Sequence, residues 1–89
     1  MNYLLAGSES KERVEILISL TSISSECLID AIIMHLTTGK SVKGSAILNG
    51  VEQQNLNRAM VKLNKVAEKV EAIKTLDWHH LTDVNKGTK

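Results

Sequence analysis

The strongest constraint in this sequence is an apolar repeat in its second half that advances in steps of three and four residues. The repeat consists of Leu56, Ala59, Met60, Leu63, Val66, Ala67, Val70 and Ile73. An α-helix turns once every 3.6 residues, so this spacing predicts about six turns of amphipathic helix that begin near Glu52. The opposite side of that helix carries a polar stripe made of Gln54, Arg58, Lys62, Lys65 and Lys69.

The rest of the chain is also predicted to be helical. Its 89 residues are enough for one small domain, contain no proline, and show no alternation of apolar and polar residues long enough to suggest a sheet. Serines can cap three shorter helices: Ser10 before KERVEILISL, Ser24 or Ser25 before ECLIDAIIMHLTT, and Ser41 before VKGSAILN. Gly39 and Gly50 end the last two. We expect an all-α fold, a small helical bundle.

The bundle is predicted to occupy residues 10–76. Residues 1–9 have no clear pattern, so we expect a flexible N-terminal arm. The apolar repeat stops after Leu76, so we expect residues 77–89 to form a C-terminal tail, with Trp78 able to fold back onto the bundle.

The stretch from residue 41 to residue 63 has the spacing of a helix-turn-helix with an extended second helix. This motif needs a small residue where the helices cross, a turn residue that tolerates positive φ, an apolar plug and two apolar anchors. Those positions are filled by Ala46, Gly50, Val51, Leu56 and Ala59. An ordinary helical hairpin is the alternative.

Two departures from this spacing are Ser45 and Asn49, where an apolar residue is more usual. Either residue could lie at the edge of the contact between the two helices.

Polar side chains at the start of the second helix are candidates for DNA recognition. Gln53, Gln54, Asn57 and Arg58 occupy the first turns, where a recognition helix meets base edges in the major groove. Glutamine and asparagine can pair with adenine, and arginine with guanine. Contacts to phosphates are predicted for a second set, namely Ser41, Lys43 and Lys62, with Lys40 as a further candidate.

The formal net charge of +1 hides a strong asymmetry along the chain. Residues 1–39 hold two basic and five acidic side chains, a net charge of −3. Residues 40–75 hold seven basic and three acidic side chains, a net charge of +4. A polyanion would meet this second region, although a solvated helix face gives the same pattern.

The sequence argues against catalysis, cofactors and membranes. His79 and His80 lack a carboxylate or cysteine at zinc-ligand spacing, and His35 and Cys27 lie within an apolar helix, where packing is the simpler role. No glycine-rich loop could cradle a phosphate. The longest apolar runs fall far below the roughly 20 residues that span a bilayer. We expect a cytoplasmic protein that is no enzyme, binds no cofactor, metal or small-molecule substrate, and contacts no membrane.

The region from about Ile18 to Ile73 resembles the PapB-type regulators of fimbrial and adhesin operons in enteric bacteria, the adhesin biosynthesis transcription regulatory family. The resemblance is carried by SLTSISSECLIDAIIMHLTTGKS, AILNGV and NLNRAMVKLNKVAEKV. These stretches contain an Ile-Ser-Ser start to the central helix, a Gly-Lys-Ser entry to the motif, and the exit Met60-Val61-Lys62-Leu63.

The resemblance implies a regulator of adhesin expression that binds AT-rich double-stranded DNA as a homodimer or higher homo-oligomer, associated with the nucleoid. A rival hypothesis is a helical protein–protein interaction module that binds a partner helix through residues 63–73. The residues concerned are Leu63, Val66, Ala67, Val70 and Ile73. They could also form the homodimer interface of a regulator. The DNA-contacting surface and the dimer interface would then lie on the same long helix.

Overall fold

The computed structural model describes the backbone of residues 3–87 and the side chains of residues 3–78. Within that range it contains four α-helices and no strand, so the predicted all-α class is confirmed. The helices are α1 (Lys11–Ser19), α2 (Glu26–Thr38), α3 (Val42–Leu48) and α4 (Gln53–Gly87).

The three short helices begin at serine caps. The Oγ atoms of Ser10, Ser25 and Ser41 accept hydrogen bonds from the backbone N–H groups three residues further on, at 3.2, 3.4 and 3.0 Å. Each bond satisfies one of the N–H groups that a helix start leaves without an intrahelical acceptor. The predicted caps at Ser10 and Ser41 are confirmed, and Ser25 caps α2.

The hydrophobic core lies between α2 and the first half of α4. Helices α2 and α4 each contact the other three helices. The inner residues of α2, Ala31, Ile32 and Leu36, have at most 1% exposure. The core is completed by Leu4, Val14, Leu17, Ile18, Ala46, Leu56, Ala59, Leu63 and Ala67.

Arg13 ties α1 to α4 and to the segment that precedes α1. Its guanidinium lies 2.7 Å from Glu9 and 3.1 Å from Glu71, and Lys74 adds a 3.3 Å ion pair to Glu71. The Arg13 and Glu9 side chains are 30% and 11% exposed, so water screens this pair less than a fully exposed one. These ion pairs fix α1 beside the middle of α4.

The segment before α1 differs from the flexible arm expected for residues 1–9. Residues 1 and 2 lie outside the described residues, but Leu4 is 4% exposed and the backbone N–H of Tyr3 donates to Asn64 at 2.8 Å. The N–H groups of Gly7 and Glu9 both donate to the carbonyl oxygen of Leu36, at 2.9 and 3.2 Å. The segment therefore satisfies a backbone acceptor at the C-terminus of α2, where helix carbonyls lack intrahelical partners.

Close approach of two glycines makes this contact possible. Gly7 and Gly39 have φ angles of +79° and +80°, and a Cβ atom at Gly7 would lie 3.1 Å from the Cα atom of Gly39. Both the left-handed backbone and the short separation favour glycine at these positions.

Helix α4 is also longer than the sequence predicted. It continues through residues 77–87, where we expected a tail, and residues 88 and 89 lie outside the described residues. No glycine or proline interrupts the chain between Val51 and Lys86, so nothing local ends the helix. Trp78 lies on this continuation of α4 and is 70% exposed. The molecule is consequently elongated, at 58 × 23 × 22 Å.

Replacing Gly7 tests the docked N-terminal segment. Gly7→Ala should lower the free energy of unfolding by more than about 1 kcal/mol, because alanine adds the cost of positive φ to the contact with Gly39. Chemical denaturation measures the loss. The matched control is Gly50→Ala, since Gly50 has a φ of +67° but open space around its Cα atom. A loss at Gly7 no greater than that at Gly50 would contradict the docked segment.

Candidate nucleic-acid interface

A tight turn joins α3 to α4. The N–H of Val51 donates to the carbonyl of Ala46 at 3.0 Å, and the N–H of Gly50 donates to the carbonyl of Ile47 at 3.3 Å. This pair of bonds, with Gly50 at a φ of +67°, is the Schellman arrangement that ends helices. Helix α4 starts only two residues after Val51, so the direction of the chain changes abruptly.

The residues predicted to hold the two helices together are buried or partly buried. Ala46, Leu56 and Ala59 are 1%, 0% and 3% exposed, and Val51 is partly buried. A small residue at position 46 suits close packing beneath α4, and the buried leucine anchors the start of α4 to the core. The turn and its buried residues therefore give α4 a fixed start.

Ser45 does not lie at an exposed edge of α3, which corrects the sequence expectation. It is fully buried, and its Oγ atom has no hydrogen-bond partner among the described residues. Asn49 is partly buried, and its side-chain amide donates to the carbonyl of Ser45 at 2.8 Å. Both polar residues are thus part of the packing. The side-chain amide of Asn49 donates a hydrogen bond, whereas the hydroxyl of Ser45 has no partner among the described residues.

All the side chains predicted to contact DNA are exposed. They are Ser41, Lys43, Gln53, Gln54, Asn57, Arg58 and Lys62. The first two belong to the start of α3, and the other five belong to the first three turns of α4. The hydroxyl oxygen of Ser41 already accepts the bond from Gly44, but its O–H remains able to donate to a phosphate.

The exposed residues of α4 divide between two surface grooves. Asn57 lines one groove with His35 of α2 and Val42 of α3. Arg58 and Lys62 line the other. Val61 also lines the first groove, and Gln54 shares its side of α4 by helical spacing. The predicted residues therefore spread across one exposed side of α4 and do not form a compact cluster.

The groove beside Arg58 and Lys62 was not predicted from the sequence. It has a volume of about 620 Å³, and its apolar wall comes from Ile23, Leu28 and Val51. Val51 is more than 20 residues from Ile23 and Leu28 in the sequence, so no local pattern could bring all three together. Cys27 also lines this groove and is exposed, which corrects its predicted role as a small packed hydrophobic residue.

The cations of this surface are available to a ligand. The ion pairs among the described side chains involve Arg13, Lys74 and their acidic partners, so none engages Arg58 or Lys62. Glu52 lies at the groove beside them and is exposed. Lys65 and Lys69 continue the positive stripe along α4.

The surface proposed for the rival interaction module is mostly buried within the chain's own core. Leu63 and Ala67 are both 0% exposed, and Val66 and Val70 are partly buried. Of the five residues, only Ile73 is exposed, at 57%. A partner helix could reach this stripe only if α4 left its own bundle.

Histidine chemistry has little support in the described part of the chain. His35 is partly buried, and its Nδ1 atom lies 2.7 Å from the carbonyl oxygen of Lys40, beside the C-terminus of α2. The side chains of His79 and His80 lie outside the described residues. Among the side chains that are described, no three from His, Cys, Asp and Glu converge on a possible metal position. None of the helices in this range is both long and apolar enough to cross a bilayer.

Comparisons with models of protein families, with curated proteins and with solved structures found no match to this chain.

Removing the Ser45 hydroxyl tests the packing between α3 and α4. Ser45→Ala should raise the free energy of unfolding by roughly 1 kcal/mol, because a buried hydroxyl without a partner loses its hydration for no compensating bond. Denaturant titration measures the change. Ser19→Ala is the control, since that exposed hydroxyl donates to the carbonyl of Ile16, and it should change stability by no more than about 0.5 kcal/mol. A clear loss of stability at position 45 would contradict this account.

Proposed function

We propose that this protein binds double-stranded DNA through a helix-turn-helix formed by α3, the turn at Gly50 and the start of α4, and that it regulates transcription. The observation that carries the proposal is the Schellman turn, which is followed immediately by a helix whose first turns expose four side-chain amides and an arginine. A recognition helix presents the side chains of its N-terminal turns to the major groove.

The exposed side chains suit the two kinds of contact that such a protein makes. Gln53, Gln54 and Asn57 carry both a donor and an acceptor, as adenine edges require, and Arg58 can donate two bonds to guanine. Lys43 and Lys62 would neutralise phosphates, which adds affinity but little sequence information. Ser41 and Lys40 are further phosphate contacts at the start of α3.

The charge distribution supports the same face. The net charge of +4 belongs to residues 40–75, which contain α3 and the first 23 residues of α4, and the net charge of −3 belongs to residues 1–39. Such an asymmetry would steer DNA toward α3 and α4 and away from α1.

The resemblance to PapB-type regulators narrows the proposal. It points to AT-rich sites near a fimbrial or adhesin operon and to a regulator that acts in the cytoplasm, on the nucleoid, as a dimer or larger assembly. We propose the same site type, location and self-association for this protein.

Truncating Arg58 and Lys62 tests the proposed interface. In a gel-shift titration against an AT-rich duplex from upstream of an adhesin operon, Arg58→Ala should cost at least about 1 kcal/mol of binding free energy. Lys62→Ala should reduce the slope of log affinity against log salt concentration by about one. The matched control is Lys11→Ala, which removes one exposed positive charge from α1 and should leave both quantities unchanged.

Reversing both charges separates this proposal from its rival. The double variant Arg58→Glu, Lys62→Glu should abolish DNA binding, because two repulsions replace two attractions, whereas a pure protein-interaction module would keep its partner. Parental affinity in the double variant would refute the interface, and a nearly flat salt dependence of the parent protein would refute DNA binding through phosphates.

A further inference from the structure

Helix α1 has an outer face that its own chain leaves uncovered. Glu12, Ile16 and Leu20 follow one another at steps of four residues, so they lie on one side of the helix, with Leu20 as the C-cap. Glu12 is exposed, and the two apolar side chains are 63% and 59% exposed. This acidic–apolar face lies opposite the buried Val14, Leu17 and Ile18.

The second half of α4 has a comparable face of opposite charge. Lys69, Ile73 and Leu76 follow at steps of four and three residues and share one side of the helix. Lys69 is exposed, and the two apolar side chains are 57% and 68% exposed. This basic–apolar face lies where α4 leaves the bundle.

The two faces match when their helices run parallel. Aligning Ile16 with Ile73 places Glu12 opposite Lys69 and Leu20 within one residue of Leu76. In this register every apolar side chain meets an apolar side chain, and the carboxylate meets the ammonium group. In the antiparallel register Glu12 would instead lie against Leu76, and Lys69 against Leu20.

The two faces of one copy cannot meet each other. Helix α1 already packs through Val14, Leu17 and Ile18, and the ion pair between Arg13 and Glu71 holds it beside α4 in that orientation. The acidic–apolar face therefore points away from the α4 of its own chain.

We propose that the acidic–apolar face of α1 in one copy binds the basic–apolar face of α4 in a second copy. The contact joins two different surfaces and is heterologous, so copies add head to tail until the arrangement closes on itself. It leaves Gln53, Gln54, Asn57 and Arg58 uncovered, because these residues precede Lys69 by at least three turns of α4. The proposal stands independently of DNA binding, since the association is measured without DNA.

Complementary variants test the two faces separately. Ile16→Asp blocks the α1 face and Ile73→Asp blocks the α4 face, and both positions are exposed, so circular dichroism should show unchanged helix content. In sedimentation equilibrium the parent should exceed its monomer mass of 9.8 kDa increasingly with concentration. Each variant alone should remain at the monomer mass, and an equimolar mixture should reach twice that mass, because one intact face remains on each partner.

Charge exchange tests the register. Glu12→Lys and Lys69→Glu should each weaken association at least several-fold, and the double variant should restore it, because the pair is then reversed. The control Glu26→Lys, at an exposed position in the first turn of α2, should leave association unchanged.

Three results would overturn the proposal. They are a parent that stays at 9.8 kDa at every concentration, a mixture of the two blocked variants that stays monomeric although the parent associates, and a double charge variant no better than the singles. Pairing of like faces would instead appear as a single blocked variant that still associates by itself.

Discussion

The burial of one stripe of α4 determines most of this structure. Leu56, Leu63 and Ala67 have no exposed surface, and the three shorter helices pack around them. Each buried leucine contributes roughly 1.5–3 kcal/mol relative to an exposed one. Because residues of a helix keep fixed angular positions, burying this stripe also fixes which side chains face outward. The exposure of Gln54, Arg58 and Lys62 is thus a consequence of the core. No further part of the chain is needed to position the proposed DNA-contacting surface of α4.

Local features of the chain were predictable because their causes are local. The serine caps, the glycines that end α2 and α3, and the buried positions of α4 all follow from spacing and backbone preference within a few residues. The exposure of the proposed DNA contacts was predictable for the same reason, since it depends on the period of one helix. Exposure alone does not determine what these side chains bind, and DNA binding is our proposal.

The differences from expectation arise from contacts between distant parts of the chain. Nothing near Gly7 in the sequence shows that it will meet Gly39, and the side chain of Asn64, which holds Tyr3, lies 61 residues away. The burial of Ser45 likewise depends on how α3 packs against α2 and α4. The groove beside Arg58 likewise combines α2, the turn and α4. The continuation of α4 past Leu76 has the opposite cause: the apolar pattern ends because the helix has left the bundle, while nothing local stops the helix itself.

The central claim is that α3 and the start of α4 meet DNA, and amide chemical shifts test it most directly. In a titration of the ¹⁵N-labelled protein with an AT-rich duplex, the largest shift changes should map to the start of α3 and to residues 53–62. The amide chemical shifts of Glu12, Ile16 and Leu20, on the acidic–apolar face of α1, should change little. Large changes confined to α1 and α2, or no changes at any residue, would contradict the account.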